Sequence, residues 1–333
     1  VDIPLAPGPE FDRIRALVNA VGALGPVGPA EGGPGDDAAI LDVPGGQRLV
    51  VSTDLSIEGV HFERAWLRWE TIGYRALTAA LSDLAAMAAG PLGALLSIAL
   101  PPELDREVLD ALGGGVGRAL SVADCPLVGG DLSRSPGPVI LDAAVLGSAV
   151  RPVGRTGAGP GDDLWVTGEL GGAALAVSEW RQSLEPDPRA RRAFEQPRAR
   201  LEEARWLAEA ASPTALIDIS DGLAGDAAQL AAASDVRLEI DLERIPLAPP
   251  LEEFADRNVA RRLALTGGED YELLLTTPAG ALESRRGAFE DRHGTRLTRI
   301  GRVTGGRGVA WRGAEGEEVA LDLSGFDHFA RAR

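Results

Sequence analysis

The sequence predicts an α+β protein of two domains, each a mixed or antiparallel sheet packed with helices. Three observations carry this. Segments of helical and strand periodicity intermingle through the first half, where two strand-like runs follow one another directly at 38–43 and 48–54. The Gly/Pro-rich segment from Arg151 to Gly161 (RPVGRTGAGPG) then interrupts all periodicity. Beyond it a second set of helices and strands begins and closes on strands. The domains are therefore placed at 1–150 and 151–333, in a chain whose 333 residues suit two medium-sized cores.

In order, residues 11–22 (FDRIRALVNAVG) have helical spacing, and the two strands lead to a long amphipathic pattern over 70–89 with Ser82 and Asp83 on its inner side. A strand at 92–100, a helix at 103–123, a short strand into Gly129-Gly130-Asp131 and a strand at 138–150 complete the first half. In the second, a strand at 163–167 leads to a helix opened by Gly171-Gly172, and a helix begins at Pro197 and runs to 211. A strand at 214–219 enters the Ser220-Asp221-Gly222 turn. A helix at 223–233, a strand at 236–241, a helix at 251–263, the strand Tyr271 to Thr277 and a final set of strands follow.

Composition excludes several functions. No lysine occurs, which removes Walker-type phosphate loops, protein kinases and Schiff-base enzymes, all of which need a lysine amine. A formal net charge of −17 without a basic stripe argues against a nucleic-acid partner. No apolar run reaches the roughly 20 residues of a membrane helix, and the N-terminus lacks a signal-peptide pattern. The single cysteine, Cys125, cannot form an intramolecular disulfide and reads as core. The expectation is a cytoplasmic protein with no membrane partner.

Five short motifs place aspartates among small residues at the ends of apolar runs: Gly35-Asp36-Asp37, Ser52-Thr53-Asp54, Leu81-Ser82-Asp83, Gly129-Gly130-Asp131 and Asp218-Ile219-Ser220-Asp221-Gly222. Gathered carboxylates with no cysteine or histidine cluster point to a hard cation, magnesium, bridging phosphates. Gly-Asp pairs are also common turn chemistry, and the second Gly-Asp-Asp, at 161–163, reads as a structural turn. Asp218 differs, because a carboxylate beside Leu216, Ile217 and Ile219 is costly to bury without a cation or donors. Ser220 shares its face, and Ser220 or Asp221 alternatively suits a helix cap. Gly267-Gly268-Glu269-Asp270-Tyr271-Glu272 is an acidic knot whose glycines allow close backbone approach to a ligand. His61 follows the Ser-Thr-Asp motif closely, and the fork of Arg155 suits either phosphate or a surface charge pair.

The ordered series GDDAAIL, STDLSIEGVHF, LSDLAAM, GGD, GRTGAGPGD, DISDGL, GGEDYEL and GFDHF makes the chain resemble the thiamine-monophosphate kinases, from about residue 11 to 329. Their superfamily includes aminoimidazole ribonucleotide synthetase and selenophosphate synthetase. The resemblance implies an aminoimidazole ribonucleotide synthetase-like fold, an N-terminal domain that binds ATP and magnesium and forms a homodimer, and ATP-dependent phosphorylation of thiamine monophosphate to thiamine diphosphate. It implies that Asp37, Ser52, Thr53, Asp54, Asp83, Asp131, Asp218 and Asp221 hold several magnesium ions. Gly129, Gly130, Arg155 and Ser220 would contact ATP, and His61, Glu269 and Phe326 thiamine monophosphate. Relatives usually carry tyrosine or tryptophan at Phe326, and many carry asparagine at Ala80. The competing readings are another ATP-using enzyme of the superfamily and a noncatalytic nucleotide or metal sensor. Selenophosphate synthetase should show an N-terminal lysine and a catalytic cysteine or selenocysteine, which this chain lacks.

Overall fold

The computed structural model describes residues 5–21, 35–43, 47–254, 256–321, 323 and 325–329. After helix α1 (Pro9–Val21), the N-terminal half contains β1 (Ala39–Val43), β2 (Gln47–Ile57), α2 (Trp69–Ala86), β3 (Gly90–Leu100), α3 (Arg106–Ala123), β4 (Leu127–Arg134) and β5 (Ile140–Ala149). Its strands form one mixed sheet, ordered β1-β2-β5-β3-β4, in which only the β3/β4 pair is parallel. The expected helix over 11–22 is α1; Gly22 lies outside the described residues.

The C-terminal half contains β6 (Asp163–Thr167), α4 (Gly172–Arg181), α5 (Pro188–Glu195), α6 (Leu201–Ala211), β7 (Ala215–Ile219), α7 (Leu223–Ser234), β8 (Arg237–Asp241), α8 (Pro249–Glu252), α9 (Arg257–Thr266), β9 (Glu272–Thr277), α10 (Arg286–His293), β10 (Leu297–Thr304), β11 (Gly308–Arg312) and β12 (Glu318–Val319). Its sheet runs β12-β11-β8-β10-β6-β9-β7, mixed through one parallel pair, β8/β11. Strands β6, β7 and β9 are buried along their whole length, as strands covered on both faces must be.

Two elements differ from the sequence expectation for visible reasons. The helix expected over 251–263 is two helices, because the Asp256 side chain accepts from the amides of Asn258 and Val259 and starts a new one. The helix expected from Pro197 begins at Leu201. Arg200 is held outside it by Glu272, Glu203 and Thr295, and the Pro197 carbonyl accepts from the Tyr74 hydroxyl. Helices α5 and α10 are eight residues each and largely polar, so each offers only two or three apolar positions from which a helix could be read.

Helix α2 is the element that positions the site. It is buried on nearly every side, against β2 and β5 of its own sheet, α3, and α6 and β7 of the other half. Small residues permit this: a Cβ on Gly115 of α3 would lie 1.8 Å from the Glu70 carbonyl oxygen, so the two helices cross at backbone distance. Strand β5 alternates buried and half-buried residues, and α2 covers only its inner face.

Candidate active site

The two sheets bring their carboxylates together at α2. Asp37 precedes β1, Asp83 lies in the last turn of α2, and Asp218 sits on β7. A carboxylate oxygen of each falls within 4.8 Å of the others. Serines fasten the group: the Ser52 hydroxyl donates to Asp83 Oδ2 at 2.5 Å and to the Asp37 carbonyl at 3.1 Å, and Ser82 donates to Asp218 Oδ2 at 2.5 Å. Arg155 grips Asp37 with two bonds, Nε to Oδ2 at 3.2 Å and Nη2 to Oδ1 at 2.5 Å, while its amide donates to Asp36. Arg155 is thus a carboxylate clamp here.

Burial and neighbouring carboxylates hold Asp83 and Asp218, and Asp54 and Asp221 beside them, toward their protonated forms. Burial, then Asp37, lifts Asp218 to about 7, and burial lifts Asp83 well above the carboxylate range, with Asp218, Asp54 and Asp37 adding to it. Asp221 reaches about 7 through burial and then Glu10. Asp54 reaches about 6 through burial, then Glu269 and Asp142. An all-oxygen set of like charges out of water is what a divalent cation neutralises, so the residues present fit magnesium.

Asp54, Asp83, Asp218, Ser220 and Asp221 line an open cavity of about 800 Å³. His61, Glu269, Tyr271, Phe326 and His328 line it too, with Arg75 from α2 and Trp66 from the loop after β2. His61 Nδ1 accepts from the Ile57 amide at 3.0 Å, and burial, then His328, depresses its pKa, which favours the neutral ring. The His328 ring lies 4.9 Å from His61 and 4.8 Å, edge-on, from Phe326. The Phe326 amide donates to the Asp221 carbonyl, and Glu10 and Arg13 of α1 hold the tail from behind.

The sequence expected Gly267-Gly268 to admit a ligand, but the close approach is to the chain itself. A Cβ on Gly268 would lie 2.1 Å from the Ser220 carbonyl oxygen, and the Glu269 amide donates to that oxygen. Nor do Ser220 or Asp221 cap α7, whose N-cap is Gly222 with no side-chain bond. Instead Asp226, inside the first turn, accepts from the Asp221 amide. Asp162 and Asp163 are structural as expected: Asp162 accepts from Gly159 and Thr214, and Asp163 pairs with Arg299.

Four expected site residues lie apart from the cluster. Strand alternation turns Ser52 and Asp54 inward and Thr53 outward, where its hydroxyl donates to Asp142 at 2.7 Å. Asp142, Ser97 and Asp131 stand in register on that outer face. Gly129, Gly130 and Asp131 lie on β4, an exposed edge strand separated from β2 by β5 and β3. Three residues of the site went unread in the sequence: Arg75, Asp226 and His328. Arg75 and Asp226 are charges on otherwise apolar helix stripes, and that is the signal they offered.

Residues 35–149 match the family model of AIR synthase related protein, N-terminal domain, and residues 159–312 that of AIR synthase related protein, C-terminal domain. Fold and site thus define a two-domain protein of the AIR synthase-related class. The thiamine-monophosphate kinase of Escherichia coli (strain K12) is 35% identical over 330 residues, spanning 96% of each chain. That of Synechococcus elongatus is 38% identical over 306 residues, 89% of this chain and 91% of the relative. A solved structure of AaThiL complexed with AMPPCP and TMP superposes with a TM-score of 0.81 at 31% identity, covering 96% of this chain and 97% of that one. The chain belongs to the thiamine-monophosphate kinase family.

Proposed function

We propose that this enzyme transfers the γ-phosphoryl group of ATP to the phosphate of thiamine monophosphate, giving thiamine diphosphate and ADP in the cytoplasm. The observation that carries the reading is a single cavity lined both by the acidic residues Asp54, Asp83, Asp218 and Asp221 and by His61, Glu269 and Phe326. The acceptor is a phosphate monoester, largely ionised near neutral pH because its second pKa is about 6. No general base is needed, which suits a site whose titratable groups are mostly raised carboxylates.

Asp37, Asp54, Asp83, Asp218 and Asp221 would hold magnesium, which supplies charge neutralisation between two polyanions. Ser52 and Ser82 fix the carboxylate rotamers, and Arg155 holds Asp37 in place. Ser220, which lines the same cavity, faces the nucleotide phosphates. His61, Glu269 and Phe326 position the thiamine rings.

The same reading places the division of labour at the Arg151–Gly161 segment and pairs two chains through the N-terminal sheet. Its outer face leaves Leu55 and Leu95 exposed, and the edge strand β4 beside it exposes Leu127, Val128 and Leu132. Within one chain β4 is about 14 Å from β2, three inter-strand steps of about 4.8 Å. A second copy packed on this face would bring its own Gly129, Gly130 and Asp131 to the nucleotide. Sedimentation should give a dimer. Mixed dimers of Asp83→Asn and Asp131→Asn chains should regain activity if Asp131 acts across the interface, and stay inactive if it acts within its own chain.

The function itself is tested by ADP release with ATP, magnesium and thiamine monophosphate, beside Asp54→Ala and with thiamine as acceptor. Turnover that requires the monophosphate and is lost in the variant is the expected result. A folded, nucleotide-binding protein without turnover would return the sensor reading.

A further inference from the structure

We propose that Arg75 is a positioning residue that fixes Glu269 as the acceptor for the exocyclic amino group of the substrate's pyrimidine ring; this rests on the thiamine-monophosphate reading above. Arg75 is a buried charge on a helix whose other buried residues are all uncharged. Its guanidinium lies 3.6 Å from the Phe194 ring centroid, donates to the Phe194 carbonyl, and donates to Glu269 Oε2 at 2.6 Å. The Tyr271 hydroxyl donates to the same oxygen at 2.7 Å.

Both bonds fall on Oε2. The other oxygen of Glu269, Oε1, has no partner among the described residues, and the side chain borders the cavity. The backbone is held as firmly: Glu269 and Tyr271 both occupy the left-handed region, at φ +73° and +52°, although neither is glycine. A carboxylate with one oxygen saturated and the other bare, on a fixed backbone, is an acceptor of set direction. Thiamine monophosphate has one group of N–H donors, the amino group on its pyrimidine, and its phosphate belongs with the magnesium-binding aspartates. The bare oxygen and the amino group are therefore matched.

Arginine is required because one planar fork must reach the Phe194 carbonyl and Glu269 together, which a point-charge ammonium cannot do. A merely structural Arg75, tying α5 to α2, would affect every acceptor alike. The discriminating probe is oxythiamine monophosphate, in which an oxo group replaces the amino group and would face the carboxylate.

Steady-state kinetics on wild type, Arg75→Gln, Arg75→Lys and Glu269→Gln, each with both acceptors, test this. The wild type should prefer the amino compound. Arg75→Gln should raise KM for thiamine monophosphate by about tenfold to a hundredfold with a smaller change in kcat, and its preference between acceptors should collapse. Glu269→Gln should lose the preference equally, the double variant should be no worse than Glu269→Gln, and Arg75→Lys should fall between. Should Arg75→Gln not fold, Glu269→Gln and Tyr271→Phe carry the test, with the preference lost in the first and weakened in the second. A preference that survives in Arg75→Gln or in Glu269→Gln overturns the assignment. A wild type that turns over neither acceptor overturns the functional reading, and this assignment with it.

Discussion

Ser82 on α2 donates a 2.5 Å hydrogen bond to the Asp218 carboxylate on β7, across 136 positions of sequence and between the two halves of the molecule. Both groups are buried, so the bond satisfies a carboxylate with little access to water. Ser82→Ala should destabilise the metal-free protein by about 1–3 kcal/mol, the usual cost of stranding a buried acceptor. Urea denaturation in chelator measures it.

Asp83→Asn should separate stability from activity. In the metal-free fold Asp83 is pushed toward its protonated form by burial and by Asp218, Asp54 and Asp37, and an amide at this position avoids the cost of taking up that proton. The variant should melt higher than wild type in chelator, yet lose more activity than the roughly 10- to 100-fold that outer-sphere partners of a metal cost. A variant that melts lower in chelator would show that hydrogen bonding outweighs repulsion at this position.

The raised carboxylates also set the pH dependence. Asp54 moves from 3.8 to about 6, and Asp218 and Asp221 from 3.8 to about 7, so between those limits the folded state binds more protons than the unfolded one. Their contribution is fully present below the unfolded value and is lost as pH rises through the folded values. In chelator the melting temperature should fall as pH rises from about 4 to about 7. Magnesium should flatten or reverse the trend, because it competes with protons for the same oxygens.

Gly268→Ala should harm the site through backbone displacement. The new methyl group would meet the Ser220 carbonyl oxygen at 2.1 Å, and neither partner is a flexible side chain. Overpacking of this kind costs about 1–3 kcal/mol, and the segment that moves carries Glu269. A raised KM for thiamine monophosphate, with secondary structure retained by circular dichroism, is the expected outcome.

Much of this architecture is legible in the chain. Strand alternation and helical spacing locate most elements to within a few residues, and Asp37, Asp83 and Asp218 stand out because each interrupts or ends an apolar run. What the sequence does not carry is which side of a sheet faces what. Ser52, Thr53 and Asp54 are adjacent, yet pleating sends the middle one to the opposite face. Arg75 is invisible for another reason: its meaning lies in partners 119 and 194 positions away. Likewise the glycines at 267 and 268 announce a close approach without saying to what.

Because Arg75 and Asp83 stand on the same helix, eight residues apart, their spacing is about 12 Å along its axis at 1.5 Å per residue. Packed on nearly every side, α2 can neither stretch nor slide. It therefore works as a gauge, holding the metal-binding aspartate and the arginine that orients Glu269 at a fixed interval. One alanine inserted between residues 76 and 82 would swing the two ends about 100° apart, at 3.6 residues per turn, with every contacting side chain still in the protein.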